Sequence, residues 1–181
     1  MLNIPNALTF LRILAVPLFL SLLADGRYQP ALIVFALAGL TDALDGAVAR
    51  LTDTRTELGS YLDPFADKLL LVSAFITLGI IGSIPAPLMI TVIVRDVVIM
   101  GGYLFAATVM EEAMSMSPTI WGKVTTFTQL VTVTLVLVDM AAWLAVPTET
   151  FMAAFIITAV ATVVSGVHYV AFGLRQYQTE G

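Results

Sequence analysis

Residues 41–68 read "TDALDGAVARLTDTRTELGSYLDPFADK". They hold Asp42, Asp45, Asp53, Glu57, Asp63 and Asp67, six of the thirteen acidic residues in the chain. Elsewhere the sequence avoids charge: 59% of the 181 residues are hydrophobic and 12% are charged. Long apolar runs flank the stretch on both sides. It therefore reads as the end of one membrane helix, a short polar connection and the start of the next. Antiparallel pairing of those two helices sets the layout expected for the rest of the chain.

Working outward, the mean hydropathy of +0.98 is that of an integral membrane protein rather than a soluble core. The length suits one domain, 1–181. There is no cysteine, which excludes disulfides and thiolate metal sites. The net charge of -5 comes largely from the quoted segment and gives no support for nucleic-acid binding. The opening "MLNIPNALTF" lacks a basic region and a small-residue cleavage site, so its apolar run is expected to stay as a membrane helix.

A spanning helix needs about 20 mostly apolar residues. The pattern predicts an all-α bundle of six transmembrane helices, at about 7–24, 29–50, 58–82, 86–109, 119–143 and 149–172. Arg50, Arg55, Lys68, Lys123 and Arg175 fall at one set of helix ends and Arg27 at the other. Basic residues favour the cytoplasmic side, so that side should hold both termini and the acidic hairpin. Trp121 and Trp143 sit where interfacial anchors are expected, and His168 reads as a packing or interface residue.

Asp42, Asp45, Gly46 and Ala49 are spaced i, i+3, i+4, i+7, which is one helix face; Gly59, Asp63 and Asp67 are spaced i, i+4, i+8, again one face. Four carboxylates meeting near a membrane surface repel one another and are costly unless something positive lies between them. Arg50 alone cannot neutralise four acids. Hard divalent cations can, and Mg²⁺ or Mn²⁺ suit carboxylate and phosphate oxygens. A pair of ions would also clamp a diphosphate. Gly46 and Gly59 leave room for a phosphate or nucleotide to approach the backbone. Asp53 and Glu57 read instead as residues of the solvated connection.

The full spacing is Asp42, Asp45-Gly46, Ala49-Arg50, Gly59, Asp63 and Asp67. It resembles the signature of the CDP-alcohol phosphatidyltransferases, with every position filled. "NIPNALTFLRI", "LDPFADK", "VRDVV" and "GKVTTFTQ" resemble further landmarks of the phosphatidylglycerophosphate synthase and eukaryotic-type cardiolipin synthase branch. The resemblance implies a six-helix bundle around a cytoplasm-facing polar cavity. There CDP-diacylglycerol would give its phosphatidyl group to an alcohol with release of CMP. It further implies that Asp42, Asp45, Asp63 and Asp67 line a two-metal site. Asp67 would act as general base, and Gly46, Ala49, Arg50 and Gly59 would hold the cytidine diphosphate.

Arg95 and Lys123 are the cations left for the acceptor. The glycerol 3-phosphate enzymes of the branch carry an Arg and a Lys where this chain has Tyr103 and Thr125. Losing both charges tilts the expectation towards phosphatidylglycerol, a monoanion, over the dianionic glycerol 3-phosphate. An intramembrane prenyltransferase and a cation transporter are the competing readings of the acidic cluster. The partners expected are the lipid substrates and the bilayer, with no nucleic acid, and a homodimer through the last helices follows from the family alone. The expected location is a bacterial inner membrane.

Overall fold

A computed structural model describes the backbone of residues 4–52, 57–109 and 120–179, and the side chains of residues 11–41, 68–102 and 120–171. The described residues form six α-helices and no strand: α1 (Ile4–Ala24), α2 (Tyr28–Thr52), α3 (Glu57–Ile81), α4 (Ala86–Val109), α5 (Ile120–Met140) and α6 (Thr148–Thr179). These follow the expected apolar runs closely. The largest departure is α6, expected to stop near 172 and found to reach Thr179. Leu174, Arg175 and Gln176 are strong helix formers and no proline intervenes, so the helix outlasts the apolar run.

The turns after α1, α3 and α5 are built alike. Each helix ends on a residue in the left-handed region: Gly26 (φ 69°), Gly82 (φ 86°) and Ala142 (φ 56°). The next amide then reaches back to a carbonyl five residues earlier, from Arg27 to Leu22 (2.8 Å), Ser83 to Leu78 (2.9 Å) and Trp143 to Val138 (3.2 Å). This closure satisfies carbonyls that the helix end leaves open. Glycine adopts the conformation freely, and Ala142 adopts it at a steric cost. Asp139 steadies that loop by accepting from the Val146 amide at 3.0 Å. Gln29 donates to the Ala141 carbonyl at 3.2 Å, which ties the α1–α2 turn to the end of α5.

In the bundle α1 packs against α2 and α3, α5 against α2, α3 and α6, and α4 against α3 and α6. Phe19, Phe35, Phe75, Leu78, Val92, Val133 and Leu137 are fully buried. Phe19 and Phe35 meet with ring centres 5.6 Å apart.

The exterior is as apolar as the core. Met152, Ile156, Ile157, Val160, Val163, Val167 and Val170 make an exposed belt along α6, and Ile90, Val94, Val97 and Val98 do the same on α4. A protein in water does not present such continuous apolar faces. Among the described residues, Ile120–Met140 and Thr148–Ala171 are each long and apolar enough to cross a bilayer. Trp121 and Trp143 are both about half exposed. Trp121 lies in the first turn of α5 and Trp143 in the turn just past its end, and the helix between Trp121 and Met140 rises about 28 Å, close to the hydrocarbon thickness of a membrane.

Candidate active site

The acidic signature lies on two helices. Asp42, Asp45, Gly46, Ala49 and Arg50 fall in the C-terminal half of α2, and Gly59, Asp63 and Asp67 in the N-terminal half of α3. Their side chains lie outside the described residues, as does the connection at 53–56 with Asp53. Five peptide links join Thr52 to Glu57, a reach of at most about 18 Å. The acid-bearing halves are therefore neighbours at one end of the bundle, away from the three closed turns.

The described part of the site starts at Lys68, the residue after Asp67. Its ammonium donates to Asp96 Oδ1 on α4 at 2.8 Å. Arg95 Nη1 donates to the same oxygen at 2.5 Å, so one carboxylate is shared by two cations. Asp96 and Arg95 are deeply buried, at 8% and 6% side-chain exposure, while Lys68 keeps 30%. That difference matters: Lys68 alone of the three presents a charge to the outside. Asp96 Oδ2 and Arg95 Nε have no hydrogen-bond partner among the described residues. Two polar atoms buried without partners are costly, and this places unused polar capacity in the cluster.

Helix α6 cradles Arg95. Its Nη2 donates to Ser165 Oγ at 2.8 Å. The Tyr169 ring lies 5.7 Å from the guanidinium carbon, within cation–π range. The arginine stem lies along α6 at Gly166, where a Cβ would make an ordinary van der Waals contact of 3.5 Å with Arg95 Cγ. Arg95 and its chain neighbour Asp96 pair, but Lys68 joins them and leaves the triad with a formal surplus of one positive charge.

Lys123 is exposed in the first turn of α5. Thr125 Oγ1 lies 2.9 Å from the Ala161 carbonyl oxygen. Carrying that antiparallel register two residues along puts Lys123 level with residue 163, close to the height of Ser165 and hence of Arg95. No hydrogen bond or ion pair links Arg95 and Lys123 among the described residues. Lys68, Arg95 and Lys123 thus occupy one layer, next to the position of Asp67.

Thr125 itself differs from expectation. It is fully buried between α5 and α6, with Oγ1 2.9 Å from the carbonyl oxygens of both Trp121 and Ala161. It faces a helix interface, and a lysine side chain placed there would enter that interface. The Tyr103 side chain lies outside the described residues.

Residues 2–171 match the family described as CDP-alcohol phosphatidyltransferase. The chain belongs to this family. Its members are membrane-bound enzymes of phospholipid synthesis that use divalent metal ions, CDP-diacylglycerol and an alcohol acceptor. Membership displaces the prenyltransferase and transporter readings. This phosphatidyltransferase is 36% identical over 180 residues to a probable phosphatidylglycerophosphate synthase of Mycobacterium tuberculosis, covering 96% of this chain and 82% of the relative. It is 30% identical over 174 residues to the CDP-diacylglycerol--glycerol-3-phosphate 3-phosphatidyltransferase of Bacillus subtilis, covering 81% and 89%. It is 42% identical over 104 residues to the human CMP-forming cardiolipin synthase, covering 57% of this chain and 35% of the relative. The phosphatidyltransferase therefore resembles both proteins named phosphatidylglycerophosphate synthase and proteins named cardiolipin synthase.

Four aspartates on adjoining helices are a hard-oxygen donor set, which is the chemistry Mg²⁺ or Mn²⁺ requires.

Proposed function

We propose that this phosphatidyltransferase transfers the phosphatidyl group of CDP-diacylglycerol to phosphatidylglycerol, forming cardiolipin and CMP. The observation that carries the choice of acceptor is the shared carboxylate. Lys68 and Arg95 both spend charge on Asp96, so the buried triad offers one net positive charge. A monoanionic phosphodiester matches it. Lys123 adds one further cation at the rim, but a dianionic phosphomonoester gains from more positive charge than a diester does, and Thr125 adds none because it is neutral and turned into the α5–α6 interface.

In this reading Asp42, Asp45, Asp63 and Asp67 hold two divalent cations, and Gly46, Ala49, Arg50 and Gly59 hold the cytidine diphosphate. The ions, when bound, supply neutralisation of the diphosphate oxygens. Asp67 accepts the proton of the acceptor hydroxyl while that oxygen bonds to the β-phosphorus. The bond from that phosphorus to the bridging oxygen breaks, and the electron pair leaves with CMP. Arg95 and Lys68 position the acceptor phosphate, and Lys123 meets it from α5. Little covalent help is needed from the protein, because such transfers depend on positioning and charge stabilisation. All six helices span the membrane, both termini and the polar cavity face the cytoplasm of a bacterial cell, and α6 offers an exposed apolar face to a second copy.

Glycerol 3-phosphate is the second reading. It is favoured by the near full-length similarity to relatives named phosphatidylglycerophosphate synthase and glycerol-3-phosphate 3-phosphatidyltransferase. An acceptor panel decides. Purified enzyme with CDP-diacylglycerol and Mg²⁺ or Mn²⁺ should release CMP with phosphatidylglycerol and give cardiolipin by mass. Ready formation of phosphatidylglycerophosphate without cardiolipin would reverse the choice of acceptor. It would leave the transfer chemistry intact.

A further inference from the structure

We infer that the groove between α3 and α4 seats an acyl chain of the lipid acceptor, with the Lys68 ammonium holding that lipid's phosphodiester. The inference rests on the reading of phosphatidylglycerol as acceptor and adds where and how the lipid is held.

The groove encloses about 360 Å³ and is lined by Lys68, Leu69, Val72, Val97, Met100 and Gly101, among others. Its walls are apolar, and Leu69, Val97 and Met100 are exposed on the outer surface, so the groove opens sideways to hydrocarbon. Its charged end consists of Lys68 and Asp96. Among the described residues Lys68 donates one hydrogen bond, to Asp96, while an ammonium has three N–H groups. Two donors remain on a side chain that is 30% exposed. An apolar channel ending in a partly exposed ammonium, whose carboxylate partner is already shared with Arg95, fits one kind of molecule, an anionic phospholipid.

The direction also fits. Helix α3 runs from Asp67 and Lys68 through Val72 towards the closed turn at Gly82, and α4 returns from it. A phosphate held at Lys68 leaves its acyl chain to run past Val72 and Val97 into the bilayer. Its free glycerol points the other way, towards the neighbouring position of Asp67, the base in the proposed mechanism. Glycerol 3-phosphate has no chain and would leave the groove without a role.

Gly101 makes the test clean. A Cβ at Gly101 meets nothing within 4 Å, and the same is true of Gly102, which does not line the groove. A side chain at Gly101 therefore starts in open space, so Gly101→Phe adds bulk to the groove, and Gly102→Phe adds the same bulk beside it. Val97→Trp is a second way to fill the groove. KM is measured for phosphatidylglycerol and for its deacylated, water-soluble counterpart glycerophosphoglycerol. The expected result for Gly101→Phe and Val97→Trp is a rise of about tenfold or more in the ratio of the two KM values, with the ratio unmoved in Gly102→Phe. An unchanged ratio in both groove variants overturns the inference while leaving the acceptor reading intact. So does a rise in KM for CDP-diacylglycerol in place of the acceptor, which would assign the groove to the donor. Failure of the unmodified enzyme to use phosphatidylglycerol at all overturns the acceptor reading, and the groove assignment with it.

Discussion

At the scale of single residues, the signature aspartates and the ion cluster carry different kinds of information. The spacing of Asp42, Asp45, Asp63 and Asp67 makes them candidates, because a helix converts i, i+3 and i, i+4 intervals into one face. On the proposed two-metal reading, Asp42→Asn, Asp45→Asn and Asp63→Asn are each expected to abolish CMP release, since each would remove a negative oxygen ligand from that site. Asp53→Asn, in the connection, is expected to be nearly silent in the same assay. Equal damage from Asp53→Asn and Asp63→Asn would disprove the assignment of ligands by spacing. The role of Asp96 was not legible in this way. Its pairing with Arg95 is between chain neighbours, but its pairing with Lys68 joins residues 28 positions apart.

At the scale of elements, the α5–α6 pair is held by a row of polar side chains that composition did not reveal. Thr125, Gln129, Thr132, Thr158 and Thr162 are all buried. Thr132 and Thr158 hydroxyls lie 2.8 Å apart, Thr158 donates to the Thr128 carbonyl at 3.1 Å, and Gln129 donates to Thr162 at 3.4 Å. The signal is present in the sequence only as threonines at helical spacing on both helices. In hydrocarbon such contacts act as interhelical glue, averaging roughly 0.6 kcal/mol each and reaching about 1.7. Thr125→Val should therefore lower stability by an amount in that range. Thr125→Lys should lower it considerably more, because a charged side chain enters the interface. Unfolding of the two variants in detergent micelles measures the difference. Equal stability would mean that residue 125 faces open space rather than α6.

At the scale of the whole molecule, the closed turns after α1, α3 and α5 lie at one end and the acid-bearing halves of α2 and α3 at the other. The native chain has no cysteine, so introduced cysteines can be labelled without background. Gly26→Cys and Ser83→Cys are expected to react from outside intact cells, and Thr54→Cys and Ser115→Cys only after the cytoplasmic side is opened. Labelling of positions 26 and 54 from the same side would rule out the six-span arrangement. The sequence by itself determined the helix count, the approximate ends and the family. Each of these depends on apolar length or on fixed local spacing, which a single helix expresses without help. It did not determine which way each helix faces. In water the apolar face of a helix marks the core, but in hydrocarbon the outside is as apolar as the inside, and periodicity loses that information. The burial of Thr125, the sharing of Asp96 between Lys68 and Arg95, and the cradle of Ser165, Gly166 and Tyr169 around Arg95 were decided only by packing. They depend on the rotation and approach of helices that are distant in sequence.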